Sequence, residues 1–170
     1  MASKDAILYR EVQYVRRWWI ALIILAIAVL GWWGFVEQII LGRPFGNNPA
    51  PDWFVVVIWL LFGIGVPVMW YQARLVIEVR ADQVVIRYVP FLTRRIPLDT
   101  IVKVQARSYH PLREFGGWGI RFVLFGNKRA YSVSGNRGVE LLLNDERRIL
   151  IGSGQADQLV QAIETRLRAR

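Results

Sequence analysis

The chain has 170 residues, no cysteine and one histidine, with 22 basic against 13 acidic residues and a formal net charge of +9. Without thiols, disulfides and thiolate metal sites are excluded. Hydrophobic residues make up 54% of the chain while 21% is charged, a mixture that predicts very apolar stretches segregated from polar ones.

The first apolar stretch runs from Trp18 to Val36 and the second from Trp53 to Tyr71, each nineteen residues without a charge. At ~1.5 Å per residue each makes about 28 Å of helix, the thickness of a bilayer core. Neither shows the polar stripe of a soluble core helix. The first stretch follows Arg16 and Arg17, but it is too long for a secretory leader and ends at Trp32, Trp33 and Phe35 rather than small residues. It therefore reads as a retained span. Trp18, Trp19, Trp32, Trp33, Trp53 and Trp70 border the two stretches, where indoles meet headgroups. Gly31, Gly34, Gly63 and Gly65 would let the two helices approach closely, and Pro67 would kink the second.

Lys4, Arg10, Arg16 and Arg17 precede the first span, and Arg74, Arg80 and Arg87 follow the second. The connecting loop from Glu37 to Asp52 holds only Arg43. This bias predicts a multi-pass protein of the plasma (inner) membrane with both termini cytoplasmic. Residues 1–73 thus read as an N-terminal segment and transmembrane hairpin. Residues 74–170, with 17 basic and nine acidic residues, read as a cytoplasmic domain.

From Arg74 the pattern alternates. Leu75–Val79 and Val84–Tyr88 read as strands around the turn Ala81-Asp82-Gln83. Further strands are expected at Arg94–Pro97, Ile101–Arg107, Ile120–Phe125, Ala130–Val133, Val139–Leu143 and Arg148–Ile151. Pro90, Gly126-Asn127, Ser134-Gly135-Asn136 and Asn144-Asp145 separate them, a spacing that predicts an antiparallel sandwich or barrel. Leu159, Ile163 and Leu167, with Ala156 and Val160 beside them, mark a final amphipathic helix N-capped by Ser153 or Gly154.

About seven strands and one C-terminal helix is the element order of a pleckstrin-homology-like fold. Over residues 74–168 the chain resembles bacterial membrane proteins that carry such a domain behind a two-helix hairpin, a largely uncharacterised family. The resemblance rests on Glu114-Phe115-Gly116-Gly117-Trp118-Gly119-Ile120-Arg121 and Ala130-Tyr131-Ser132-Val133-Ser134-Gly135-Asn136-Arg137-Gly138-Val139. It continues through Arg148-Ile149-Leu150-Ile151-Gly152-Ser153 and the final helix. It implies an α+β membrane protein in which the helix caps a β-barrel or sandwich. It assigns no activity.

The segment bearing His110, Arg113, Phe115 and Trp118 is the first candidate for a partner-binding loop, since aromatic and Arg anchors dominate interfaces. The glycines around Trp118 equally suit positive φ or a bulge. Arg16, Arg17, Arg74, Arg94 and Arg95 are candidates for contact with anionic lipid, or simply solubilise strand edges. The classical phosphoinositide cradle is missing: the first turn is short and acidic, and the second strand lacks a close basic pair. One histidine without cysteine supports no metal site, and no nucleophile motif or cofactor signature is present. The basic residues are scattered through strands, which argues against nucleic acid. The expected role is a non-enzymatic membrane-anchored interaction or scaffold module, self-associating or acting as an accessory subunit of a membrane complex. The alternative is a domain that senses anionic lipid.

Overall fold

A computed structural model of the chain describes residues 7–123 and 127–169, with only the backbone of Val123. Lys4, Phe125 and Gly126, named above, lie outside the described residues. The chain forms two compact units. Arg16–Ala73 make one, and the residues on either side, up to Val15 and from Arg74, make the other.

The first unit is a helical pair, α1 (Trp18–Ile40) and α2 (Asp52–Gln72). Both are long and apolar enough to cross a membrane, and only 11% and 6% of their most apolar windows are buried. A helix of a water-soluble core would hide that surface. Each runs past the expected span, and Gln38 near the end of α1 donates to the Ala50 carbonyl (2.7 Å) and to Asp52 (2.8 Å) where α2 begins. The expected close approach occurs at Gly31, where an added Cβ would lie 3.4 Å from the Gly63 nitrogen. Phe35 stacks on Trp59 with ring centroids 4.0 Å apart. Pro67 has no N–H for the carbonyl one turn back, which is Gly63. The Trp32 indole donates to that oxygen at 3.3 Å, so one helix satisfies the backbone group that proline leaves open in the other. The hydrogen bonding of α2 widens to i→i+5 over Trp59–Gly65, just before Pro67.

The second unit is built from two sheets and a helix. β1 (Ile7–Tyr14), β2 (Arg74–Arg80), β3 (Gln83–Val89) and β4 (Leu92–Pro97) form an antiparallel sheet in chain order. β5 (Ile101–Ser108), β6 (Gly119–Val123), β7 (Lys128–Ser132), β8 (Arg137–Leu143) and β9 (Arg148–Gly152) form the second, ordered β5-β8-β9-β7-β6. Within it β7 and β9 run parallel. A short helix α3 (Pro111–Phe115) follows β5, and α4 (Ala156–Arg168) closes the chain.

Inward residues of both sheets make one core, among them Leu75, Ile77, Ile86, Leu141 and Ile151, each no more than 1% exposed. Leu159 and Ile163 of α4 sit in it fully buried, which confirms the period-four stripe. A smaller core forms on the opposite face of the second sheet, where Tyr109 and Phe115 pack with Ala130 and Leu150. β9 is therefore covered on both faces, and Ile149, Leu150 and Ile151 are all buried.

Three expectations change. Of the expected sandwich or barrel, the barrel does not form: among the described residues the strands make two separate sheets, joined through the short turn Leu98–Thr100 without strand pairing between them. The domain boundary at residue 74 misses β1, which pairs with β2 from Ile7↔Arg80 to Tyr14↔Arg74. A single edge strand with mixed side chains carries too weak a period-2 signal to be recognised beside a strongly apolar run. At α4, neither Ser153 nor Gly154 is the N-cap. Gln155 holds that place, while the Ser153 hydroxyl accepts the Gln155 N–H at 3.0 Å.

Candidate functional site

The segment from Tyr109 to Trp118 folds over the second sheet where Gly152 leaves room for Tyr109. Gly138 and Gly152 are register partners on β8 and β9. A Cβ on Gly138 would meet the Ile151 carbonyl oxygen at 2.5 Å, and one on Gly152 would meet Ser132 Cβ at 2.7 Å and the Tyr109 hydroxyl at 3.1 Å. Tyr109 lies there 1% exposed, and burial raises its phenol pKa. The Phe115 ring meets it edge-on, with centroids 6.1 Å apart.

His110 is the residue before α3, and its N–H donates to the Glu114 carboxylate at 2.7 Å, a local N-terminal cap. Glu114 also accepts from Arg107 at 2.9 Å, and Arg107 reaches Glu140 on its other side. Burial pushes the Glu114 carboxyl up, but the His110 N–H and the Arg107 guanidinium outweigh it and hold it below its ordinary value. Gly116 ends α3 with φ +68, the left-handed conformation such a stop requires. The Trp118 indole donates to the Gly135 carbonyl at 2.9 Å.

The four predicted loop residues thus have different roles. Phe115 is a core residue, so its place among exposed anchors is corrected: its ring faces the sheet because α3 turns that side inward. Trp118 is half-buried and pinned to the neighbouring loop. His110 and Arg113 line a groove of ≈ 290 Å³ together with Leu112, Trp118 and Asn136. Leu112, 69% exposed, is the apolar residue that sequence reading missed. A large apolar side chain between Pro111 and Arg113 was its only signal.

The five basic residues do not form one patch. Arg16 and Arg17 belong to the helical unit, where Arg16 lies 5.7 Å from the Tyr71 ring centroid. Arg94 and Arg95 are adjacent on β4, so they point to opposite faces of the sheet. Arg94 shares its face with the buried Ile96, and Arg95 is exposed on the other. On that outer face the register aligns Arg10, Glu78, Val85 and Arg95 across the four strands. Glu78 is 1% exposed and contacts Arg10 (3.7 Å), Arg80 (2.9 Å) and Arg87. Burial raises its pKa, but the hydrogen bonds and charges of Arg80 and Arg87 win, and the carboxyl is held below its ordinary value.

β1 is locked to the sheet unit by Glu11. Its carboxylate accepts from the Ser153 hydroxyl (2.6 Å), the Gly154 N–H (2.9 Å), Tyr9 (2.9 Å) and Gln13 (3.0 Å). Gln13 also donates to the Gly152 carbonyl at 2.8 Å. Among the described residues no three His, Asp or Glu side chains converge as metal ligands would.

These features define an α+β protein in which a pair of apolar helices is inserted between two paired strands of a two-sheet unit. The chain belongs to DUF6141, a family of unknown function, whose pattern matches residues 2–169. Neither a curated protein nor a solved structure matches it.

Proposed function

We propose that this protein is a non-enzymatic interaction module held on the cytoplasmic face of a membrane by its helical hairpin. The observation that carries this reading is the pairing of Tyr14 with Arg74. The chain leaves one strand for α1 and returns from α2 into the neighbouring strand. An apolar hairpin of this length embedded in lipid then has both ends on the side of the sheet unit. The basic flanks, Arg16, Arg17 and Arg74 against Arg43 alone in the connecting loop, favour the cytoplasm for that side. A four-stranded meander, a second sheet and a terminal helix in the core support a pleckstrin-homology-like unit, with the parallel β7–β9 pair as a departure. The groove bearing Leu112, Arg113 and Trp118 is its partner-binding surface, because an exposed apolar residue beside Arg and Trp suits a protein contact.

The absence of cysteine makes the test direct. In intact cells an impermeant maleimide is expected to label Asn47→Cys in the connecting loop, and to label Ser134→Cys only after lysis. Equal or reversed labelling overturns the sidedness. A photo-crosslinking residue at position 112 should yield a discrete adduct that is lost in Arg113→Glu. No adduct from any groove position removes the groove as a docking surface.

A further inference from the structure

We infer that the outer face of the β1–β4 sheet is a docking surface for anionic lipid headgroups, an inference that rests on the reading that α1 and α2 span a bilayer. Register sets Arg10, Arg74, Arg87 and Arg95 on this face, one from each strand. The Arg10 and Arg87 side chains are 58% and 38% exposed, and Arg74 and Arg95 are exposed as well. Glu78 is the one carboxylate within the strands of this face. It is buried beneath Arg10, Arg80 and Arg87, so its charge is spent on those neighbours. Val12 and Tyr14, exposed on the same face of β1, interleave apolar groups with the guanidinium groups, the combination that binds a headgroup layer.

Two further observations favour a membrane over a single soluble anion. The guanidinium groups come from four adjacent strands about 4.8 Å apart and so spread over roughly 14 Å, wider than one phosphate can bridge. In addition, three residues separate β1 from α1 and one separates α2 from β2. At ~3.5 Å per residue the paired ends Tyr14 and Arg74 lie within about 14 Å and 7 Å of chain of the helix ends. Spans embedded in a bilayer therefore tether Tyr14 and Arg74 within those lengths of chain of the headgroup layer. Arginine near an anionic leaflet strengthens attraction by about fivefold per residue.

The test uses the full chain in nanodiscs of neutral phosphatidylcholine, with or without about one-third phosphatidylglycerol. Thr93→Cys reports on the outer face of β4, and Gln105→Cys reports on β5 of the other sheet. Anionic lipid is expected to slow maleimide labelling of Thr93→Cys at least tenfold, with recovery in high salt as exposed charges are screened, and to leave Gln105→Cys unchanged. Combining Thr93→Cys with R10Q, R74Q and R95Q should abolish the effect while keeping the Glu78 pairs with Arg80 and Arg87. Labelling indifferent to lipid charge, or slowed equally in neutral lipid, overturns the docking face. Protection produced only by added inorganic polyphosphate, not by anionic lipid, reassigns the face to a soluble anion and also overturns it. Failure of the hairpin reading shows separately: the chain would then leave the lipid on an alkaline wash.

Discussion

Replacing Glu11 by Ala tests whether β1 truly belongs to the sheet unit. Four donors, from Ser153, Gly154, Tyr9 and Gln13, converge on this carboxylate. Hydrogen bonds to a charged group contribute about 1.5–3 kcal/mol each when buried. Glu11 is only half-buried and the four bonds form one network, so their sum is not additive. A loss of about 3 kcal/mol is expected, roughly a hundredfold in local opening at ~1.4 kcal/mol per factor of ten. Hydrogen exchange on the full chain in nanodiscs reads this directly. Protection should fall about a hundredfold over residues 7–14 and 152–156, while the α1–α2 hairpin stays unchanged. Glu11→Gln, which keeps the shape and one acceptor oxygen, should lose less. Unaltered protection of residues 7–14 in Glu11→Ala would refute the clamp, and full exchange there in the unmutated chain would refute the strand itself.

Gly138→Ala should lower the melting temperature sharply, because its methyl group meets the Ile151 carbonyl oxygen at 2.5 Å; overpacking of this kind costs about 1–3 kcal/mol. Trp32→Phe removes the donor to the Gly63 carbonyl and should weaken the helix pair by about 0.6–2 kcal/mol, measurable on heating from the near-ultraviolet dichroism of Trp59 in its stack with Phe35, which the substitution leaves in place. Glu78 and Glu114 are held below their ordinary pKa, so their contribution is complete above the unfolded value of about 4.3. It is lost as pH falls through the lower folded value. The drop in melting temperature between pH 5 and pH 3 should therefore shrink in Glu78→Gln. At the alkaline end, burial and the bond to Glu11 raise the Tyr9 phenol. Its contribution is present below about pH 10 and lost as pH climbs toward the folded value, and Tyr9→Phe should flatten that loss.

Much of the fold was legible because single-element patterns carry it. The helices were readable from nineteen-residue runs with no polar stripe, and α4 from the spacing of Leu159 and Ile163. Most strands of residues 74–151 were readable from alternation and turn residues. The candidate site was less so. Phe115 and Trp118 look alike as loop aromatics, and only the fold of α3 over β7 and β9 separates a core ring from a half-exposed one. Arg94 and Arg95 look like a basic pair, yet the pleat sends them to opposite faces.

Features that can be summed along the chain were readable residue by residue: two helices apolar all round, a basic C-terminal half, and the order of strands and helix after Arg74. Features that depend on pairing across long separations emerge only in the folded chain. β1 finds β2 sixty residues later, and β9 pairs in parallel with β7. Gly152 on β9 leaves room for Tyr109, which follows β5, and arginines from four strands meet on one face. Backbone register fixes these neighbours, and register is a property of two strands together, which neither strand's own sequence specifies.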